Sequence, residues 1–389
     1  MLNFEYSSPT YYSFGEKKEE DVTSLLKKFL AKKILIVIGG SSVKKSGLLD
    51  RVKNNLEKDN IEYKVLEGIK ANPESDKVYE GINIVKENNI DFILAIGGGS
   101  VIDASKAIAA GAVYDGDFWD FFRDENRVIV SSSLPVGVIL TIAAAGSEGS
   151  PSMVITNTET KQKRGNTKTD IVRPVFAIMN PSLTMTLPSY QTACGIVDIM
   201  THIFERYFSN TKDCYITDAM SEAILKTLME MGKRVIENPN DYEARANIMW
   251  ASTIAHNNIL GMDKEQDWAS HKIEHELSGK YDIAHGAGLA VIVPKWMRYV
   301  SKINPSKFHQ FRKNVMKTET IDQAIDKLSS FWTSLGMPSK LSDVGFNPDD
   351  LEFLIRNVDY TKEGYVGNYV RLRREDIRNI YLDRVKTDN

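Results

Sequence analysis

The chain has little cysteine, little net charge and no long apolar run, and each shortage excludes a class of protein. Two cysteines, Cys194 and Cys214, among 389 residues do not make a disulfide framework. A net charge of −3 gives no electrostatic reason to expect nucleic acid or an anionic membrane as a partner. The longest apolar stretches have the length of a strand, and the first residues lack the basic and apolar regions of a signal peptide. We therefore expect a protein of the reducing cytoplasm.

Histidine is also scarce, yet four of the six histidines fall into two clusters together with one carboxylate. Asp198 and His202 are four residues apart, as are His271 and His275, and His285 follows at a distance of ten residues. Residues four apart lie on one face of a helix, so each pair presents its ligand atoms side by side. One Asp and three His suit Zn(II) or Fe(II). A single such pair would be uninformative, and five candidates exceed a four-coordinate site, so one of the five has another role.

The first half of the chain alternates apolar, strand-like runs with segments of helical spacing. The predicted strands are 32–40, 61–69, 90–100 and 135–148, with helices over 75–89 and 101–112. Strands that are apolar throughout and separated by helices indicate a parallel sheet covered on both faces. The pattern predicts an α/β domain with a parallel sheet over residues 1–187.

The second half has a different character, because every long apolar segment in it follows the helical period. These segments are 196–208, 218–237, 242–261 and 267–280. No run typical of a buried strand follows Pro188, which marks the change. The pattern predicts an all-helical metal-binding domain over residues 188–389.

A glycine turn, GGGS at 97–100, follows a predicted buried strand and opens a predicted helix. In parallel α/β sheets such a turn binds phosphate, since glycines let the backbone approach the anion and the free amides of the helix point at it. The turn does not read GxGxxG, the chain has no GxxxxGK[ST] loop, and three glycines after a strand are by themselves a weak signal. The turn is therefore a candidate pyrophosphate site.

A second glycine turn, GGSS at 39–42, ends the first long predicted strand. A dinucleotide site that accepts a free ribose 2′-hydroxyl is expected to place an acidic residue in this region, and none stands in the turn. Ser41, Ser42, Lys44 and Lys45 stand there instead. Hydroxyls and ammonium groups suit a 2′-phosphate, so the turn favours NADP over NAD, although a plain polar turn would have the same composition.

Taken together, these segments resemble the iron-containing, metal-dependent alcohol dehydrogenase family over nearly the whole chain, and most closely its NADP-linked butanol dehydrogenase and aldehyde reductase branch. The motifs that carry the resemblance are GGSSVKKSG (39–47), AIGGGSVIDASKAIA (95–109), LTIAAAGSE (140–148), GIVDIMTHIFERYF (195–208) and DWASHKIEHELSGKYDIAHGAGLAVIVP (267–294). The resemblance implies a dehydroquinate synthase-like fold, in which residues 1–187 form a Rossmann-like dinucleotide-binding domain.

The resemblance also implies roles for single residues. The implied ligands of one divalent metal, Fe(II) or Zn(II), are Asp198, His202, His271 and His285. His275 corresponds to a further histidine near the nicotinamide and the substrate. The implied cofactor contacts are Gly97, Gly98, Gly99 and Ser100 at the pyrophosphate, Asn72, Asp103 and Thr141 elsewhere on the cofactor, Lys163 at a ribose, and Ser41, Ser42 and Lys44 at the 2′-phosphate.

Three positions depart from the family pattern. Ala145 replaces a threonine whose hydroxyl lies beside the cofactor, a loss worth about 1 kcal/mol for one hydrogen bond. Gly149 stands where methionine is common and Ser105 where alanine is common. The first departure bears on cofactor affinity rather than on the reaction, and the other two are expected to alter the loop above the nicotinamide.

The resemblance predicts reversible hydride transfer between NADP(H) and a small alcohol–aldehyde pair such as butanol and butyraldehyde, in a homodimer. A glycerol or polyol dehydrogenase of the same family is an alternative. A dehydroquinate synthase-like cyclase ranks lower, because such cyclases typically carry glutamate as the first ligand, where this chain has Asp198. A metal-binding protein without catalysis is a further alternative, which the intact metal positions and glycine turn disfavour.

Overall fold

The computed structural model describes residues 1–123, 126–166 and 170–384, and residues 124–125, 167–169 and 385–389 lie outside the described part. The chain divides into two compact units. One unit is Ser7–Thr186, and the other combines Met1–Tyr6 with the chain from Leu187 onward. Met1 and Leu2 join the second unit through hydrogen bonds from their nitrogens to the carbonyls of Lys212 and Asp263, at 2.6 and 2.8 Å.

The first unit is built on a parallel six-stranded sheet. Its strands run in the order β3-β2-β4-β5-β8-β1, and β6 and β7 form a separate antiparallel hairpin. The strands are β1 (Tyr11–Phe14), β2 (Lys33–Ile38), β3 (Glu62–Leu66), β4 (Phe92–Gly97), β5 (Val136–Leu140), β6 (Met153–Thr156), β7 (Lys163–Asn166) and β8 (Phe176–Met179). The helices are α1 (Val22–Lys28), α2 (Ser42–Lys45), α3 (Leu48–Lys58), α4 (Ser75–Asn88) and α5 (Gly99–Ala112). The Rossmann-like α/β prediction is thereby confirmed.

The central strands are apolar because helices cover both faces of the sheet. Ile34, Ile36 and Ile38 of β2 face the same side and are fully buried, and the intervening Leu35 and Val37 are buried as well. The β-branched residues suit the extended backbone, so composition and burial agree in this strand. The prediction missed β1, β8 and the hairpin, which have only four residues each.

The second unit is helical. Its described residues contain no strand, only an isolated bridge between Val366 and Leu372. The helices are α6 (Ser189–Tyr207), α7 (Tyr215–Glu237), α8 (Tyr242–His256), α9 (Ala269–Tyr281), α10 (His285–Ile303), α11 (Ser306–Phe311), α12 (Ile321–Ser334), α13 (Leu351–Asn357) and α14 (Arg374–Tyr381), with a π-helical segment at Arg312–Met316. The all-helical prediction for this half is confirmed.

Short 3₁₀ turns connect several of these elements. They are Lys18–Asp21, Phe118–Phe121, Ser147–Gly149, Asp170–Val172, Pro181–Thr184, Leu341–Val344 and Pro348–Asp350. Among the described residues, no helix is both long and apolar enough to cross a membrane.

Candidate functional site

Four predicted metal ligands lie on three helices of the second unit. Asp198 and His202 are one turn apart on the buried face of α6, as their spacing predicts, and His271 lies in the first turn of α9. His285 is the first residue of α10. Three of the four side chains are at least nine-tenths buried, and His285 is less so, with its side chain 24% exposed.

The four side chains converge on one carboxylate oxygen. The Nε2 atoms of His202, His271 and His285 lie 3.3, 3.7 and 3.8 Å from Oδ1 of Asp198. Within the described part of the chain, Oδ1 of Asp198 and Nε2 of His271 are buried and have no hydrogen-bond partner. Buried polar atoms are normally paired, so orphaned atoms that face one another call for a shared partner. One oxygen and three imidazole nitrogens fit Zn(II) or Fe(II).

Two glycines after His285 let α10 approach the other ligand helices. A Cβ on Gly286 would lie 2.1 Å from the carbonyl oxygen of Cys194 on α6. A Cβ on Gly288 would lie 2.2 Å from Oε1 of Glu274 on α9. Any larger residue would push α10 away, so the GAG sequence after His285 is a packing requirement of the site.

Glu205, two turns after Asp198 on α6, fixes the orientation of His271. Its Oε1 lies 2.7 Å from Nδ1 of His271 and also accepts hydrogen bonds from the His271 amide and the Ser270 hydroxyl, while Oε2 accepts from the Trp268 amide at 2.8 Å. Burial alone would raise the pKa of Glu205, but its hydrogen bond with His271 holds that pKa below the ordinary value. A carboxylate at Nδ1 leaves Nε2 free for a metal.

Glu274 has the same relation to His285. It is fully buried on α9, and its Oε2 accepts a hydrogen bond from Nδ1 of His285. Our sequence interpretation missed both glutamates. A signal was present, because Glu205 follows Asp198 by seven residues and Glu274 follows His271 by three, spacings that return to the ligand face of each helix.

The indole ring of Trp268 packs beside two of the predicted ligands. The Trp268 ring lies 5.6 and 5.3 Å from the rings of His202 and His271, and the Arg206 guanidinium lies 4.8 Å from the Trp268 ring. Nη2 of Arg206 lies 3.1 Å from Nδ1 of His256. Burial lowers the pKa of Arg206 to about 9. Trp268 has a φ of 65°, a strained conformation that costs roughly 1–3 kcal/mol and that the surrounding contacts maintain.

The protonation of the ligands differs. Burial lowers the pKa of His202 to about 4, so its imidazole is neutral and ready to coordinate. Burial acts in the same direction on His271, but the carboxylates of Asp198 and Glu205 raise the pKa of His271 to about 9. If Nε2 of His271 binds a metal at neutral pH, His271 must first lose a proton.

His275, the predicted catalytic histidine, lies one turn after His271 on α9 and is only half-buried. Its ring centroid is 5.4 Å from that of His285 and 6.3 Å from that of His271. One of its nitrogens groups with ligand atoms of Glu274 and His285, whereas Asp198, His202 and His271 form a separate group. Its role as a residue beside the metal rather than a ligand stays a prediction.

The predicted cofactor residues lie in the first unit, at the carboxyl ends of the parallel strands. The chain passes from β2 to β3 on one side and then to β4 on the other, which makes a topological switch point between β2 and β4. Gly39 and Gly40 follow β2, and Gly97 ends β4, so both glycine turns lie at this point. Open α/β sheets bind ligands there.

The segment after β5 packs on the glycine turn at 97–100. The Thr141 amide donates to the Gly97 carbonyl at 3.0 Å, and a Cβ on Gly98 would lie 3.0 Å from Cβ of Ile142. A Cβ on Gly99 would lie 3.2 Å from Cβ of Ala145. The glycines therefore hold backbone close to this segment, as a cradle for a pyrophosphate requires.

Four predicted cofactor residues make hydrogen bonds in and beside this turn. Lys163 on β7 donates to Oδ1 of Asn72 at 3.0 Å, and both are buried. The Ser100 hydroxyl donates to the Ala71 carbonyl. Asp103 on α5 accepts from the Ser147 hydroxyl at 2.5 Å and from the Val154 amide at 3.0 Å, so its carboxylate already holds protein groups.

At the corner predicted to bind a 2′-phosphate, Ser41 and Ser42 are exposed, and Lys44 lies 2.5 Å from the carboxylate of Glu67. Glu67 directly follows β3. The salt bridge brings this carboxylate beside the turn after β2, where an acidic group suits a ribose 2′-hydroxyl. Our sequence interpretation looked for an acid only in the turn after β2 and so missed Glu67.

Comparisons with known proteins agree with this arrangement. The family model described as "Iron-containing alcohol dehydrogenase" matches residues 9–181, and that described as "Fe-containing alcohol dehydrogenase family, C-terminal" matches residues 192–385. The chain is 42% identical to the NADH-dependent butanol dehydrogenase A of Clostridium acetobutylicum, over 98% of this chain and 99% of the relative. It is 34% identical to the NADPH-dependent aldehyde reductase of Escherichia coli, over 98% and 99%.

A solved structure supports the fold. The NADH-dependent butanol dehydrogenase A of Thermotoga maritima aligns with a TM-score of 0.95 and 38% identity, over 99% of each chain. The expected dehydroquinate synthase-like architecture, a parallel sheet followed by a helical region, is confirmed by this match and by the described strands and helices.

Proposed function

Since this chain belongs to the iron-containing alcohol dehydrogenase family and is an NAD(P)-dependent oxidoreductase that acts on alcohols, we propose that it reduces a small aldehyde such as butyraldehyde with NADPH and catalyses the reverse oxidation. The observation that carries this proposal is the convergence of three Nε2 atoms within 3.8 Å of Oδ1 of Asp198. That arrangement is a preformed site for one divalent ion, Fe(II) or Zn(II).

The preference for NADPH is supported by Ser41, Ser42 and Lys44 at the turn after β2. A preference for NADH is the second candidate, because Lys44 is paired with Glu67, whose carboxylate suits a free 2′-hydroxyl. Relatives of both kinds occur, one named NADH-dependent at 42% identity and one named NADPH-dependent at 34%. The coenzyme comparison below decides between them.

The proposed mechanism divides the work between the bound groups and the chain. When bound, the metal supplies a Lewis acid that polarises the substrate oxygen, and the nicotinamide supplies the hydride. The residues that would hold the metal are Asp198, His202, His271 and His285. Glu205 and Glu274 accept the Nδ1 protons of His271 and His285 and so aim both Nε2 atoms.

His275 is the proposed proton relay. It is more exposed than His271 and lies beside His285, so it is placed to exchange a proton with solvent and with a substrate held at the metal ligands. Histidine suits this role because its ordinary pKa lies near neutrality. We further propose that the enzyme is a cytoplasmic homodimer whose substrates are small alcohols and aldehydes.

The test is absorbance at 340 nm with purified protein and butyraldehyde, using NADPH and NADH separately. We expect coenzyme oxidation that a chelator stops and that Fe(II) or Zn(II) restores. Glycerol and 1,3-propanediol in the oxidative direction test the polyol alternative. Absence of turnover with both coenzymes, across short aldehydes and with metal bound, would refute the proposed activity.

A further inference from the structure

Lys106, a lysine that the proposed mechanism does not use, is fully buried on α5, two turns after the glycine turn. Its Nζ donates to Oγ and the carbonyl of Ser147, both at 2.7 Å, and to the carbonyls of Ser150 at 2.9 Å and Ser152 at 2.7 Å. An ammonium has three protons, so these four oxygens fully occupy it. The segment 147–152 is thus wrapped around one buried cation.

Two neighbours complete this cluster. The Ser147 hydroxyl that accepts from Lys106 donates in turn to Asp103, whose other oxygen accepts from the Val154 amide. Arg173, also buried, donates from Nη1 to the Gly149 carbonyl. Lys106 and Arg173 therefore donate hydrogen bonds to the carbonyls of residues 147, 149, 150 and 152. These bonds fix the path of the backbone between β5 and β6.

The charged groups that face Lys106 are Asp103, Glu148 and Arg173. Burial lowers the pKa of Lys106 to about 8, against the attraction of Asp103 and Glu148 and with the repulsion of Arg173. At neutral pH the ammonium form prevails and supplies three hydrogen-bond donors. The neutral amine has two donors and a lone pair that would face carbonyl oxygens.

The clamped segment continues the stretch that covers the glycine turn. The Thr141 amide donates to the Gly97 carbonyl, and Ala145 lies against Gly99. Both residues come shortly before Ser147, where the segment bound by Lys106 begins. Lys106 lies on the helix that the same glycine turn opens. A single side chain therefore ties the loop after β5 to the helix after β4, the two elements that border the candidate pyrophosphate site.

We propose that Lys106 is a positioning residue for the dinucleotide: its ammonium holds segment 147–152 against α5 and so shapes the cofactor site before NAD(P)(H) binds. Preorganisation of this kind raises affinity, because the ordering of the loop is completed before the ligand arrives. The inference rests on the proposed function only in that the carboxyl edge of the sheet binds a dinucleotide.

The first test is the dissociation constant of NADPH and of NADH for the wild-type protein from pH 6.5 to 10, measured by nicotinamide fluorescence. We expect a constant value below about pH 8 and a rise above it, of at most about tenfold per pH unit, that levels off at the weaker affinity of the amine form. The pKa of Lys106 falls from its ordinary 10.5 to about 8 on folding. Between these two pH values the unfolded chain binds more protons at this group than the folded chain does, so the contribution of Lys106 to stability rises with pH. Deprotonation of Lys106 therefore does not itself favour unfolding.

Variants give the second test. Lys106→Met should raise the dissociation constant about tenfold or more at pH 7 and abolish the alkaline rise, with unchanged metal content. Lys106→Arg keeps a permanent cation and should move the alkaline rise beyond pH 10. Ser133→Ala is the control, because Ser133 precedes β5 at the amino edge of the sheet, away from both glycine turns, and its hydroxyl donates to the Leu134 carbonyl at 2.9 Å. It should leave both affinity and pH profile unchanged.

A flat pH profile with intact binding, or an alkaline rise that persists in Lys106→Met, would overturn the inference alone. Failure of both coenzymes to bind at pH 7 would overturn the proposed function and this inference with it. If Lys106→Met does not fold, the wild-type titration and Lys106→Arg decide the question.

Discussion

Replacing Glu205 by glutamine should weaken metal binding without dismantling the helical unit. Four donors converge on its two oxygens: the hydroxyl of Ser270, the amide and Nδ1 of His271, and the amide of Trp268. A glutamine offers one oxygen, so at least one of these donors meets an NH₂ group instead. A buried donor without an acceptor costs about 1–3 kcal/mol. Loss of a carboxylate behind a ligand histidine lowers metal affinity roughly 10–100-fold.

The measurement is competition of metal-free protein with a chromophoric chelator for Zn(II), and for Co(II), whose visible absorption also reports coordination geometry. The matched control is Glu222→Gln, another buried carboxylate of the same unit. Its Oε1 accepts from Tyr207, Gln310 and Asn314, none of which is a metal ligand. We expect the control to lower the melting temperature without changing metal affinity. A Glu205→Gln protein within twofold of wild type, or a control that loses as much affinity, would refute the positioning role.

Three further predictions concern the same unit. Gly288→Ala should displace the carboxylate of Glu274, because the new Cβ would lie 2.2 Å from its Oε1. We expect the unfolding free energy to fall by about 1–3 kcal/mol in a denaturant titration, and metal binding to weaken in chelator competition. Unchanged values would contradict this packing. Cys194 and Cys214 should not react with a thiol reagent at pH 8 until the protein is unfolded, because both are buried and burial raises the pKa of Cys194 to about 12. Rapid labelling of the folded protein would contradict this prediction. His275→Ala should retain the metal but lose activity by about 10²–10⁴-fold and alter the pH profile, so a variant that loses its metal would make His275 a ligand instead.

The sequence predicts the architecture well where signals are local. The strands β2 and β4 and the helix α5 show their identity in their own residues, because a strand buried on both faces is apolar throughout. The edge strand β1 shows no such signal. Its residues are partly exposed, and its identity depends on pairing with β8, far along the chain.

The same distinction holds for the site. Spacing indicates Asp198 and His202 because the helix brings them together without help from other elements. In the sequence, Glu205 is indistinguishable from an exposed helix residue, because its role depends on the packing of α9 against α6. Likewise, the proximity of Glu67 to the turn after β2 depends on the pairing of β3 with β2. The sequence therefore indicates chemistry within one element, whereas the supporting groups emerge from packing between elements.

The position of β1 has a consequence for the order in which a ribosome-bound chain acquires its structure. Tyr11 pairs with Phe176 and Phe14 with Met179, so the first strand to be synthesised receives its neighbour only after the rest of the sheet has been made. Contacts so far apart in sequence close late and slow the search for the native topology. Until then, the start of the chain has an unsatisfied strand edge, the kind of surface that pairs with other chains. A nascent chain released before β8 would expose that edge together with the free edge of β5, because β8 is the neighbour of both strands.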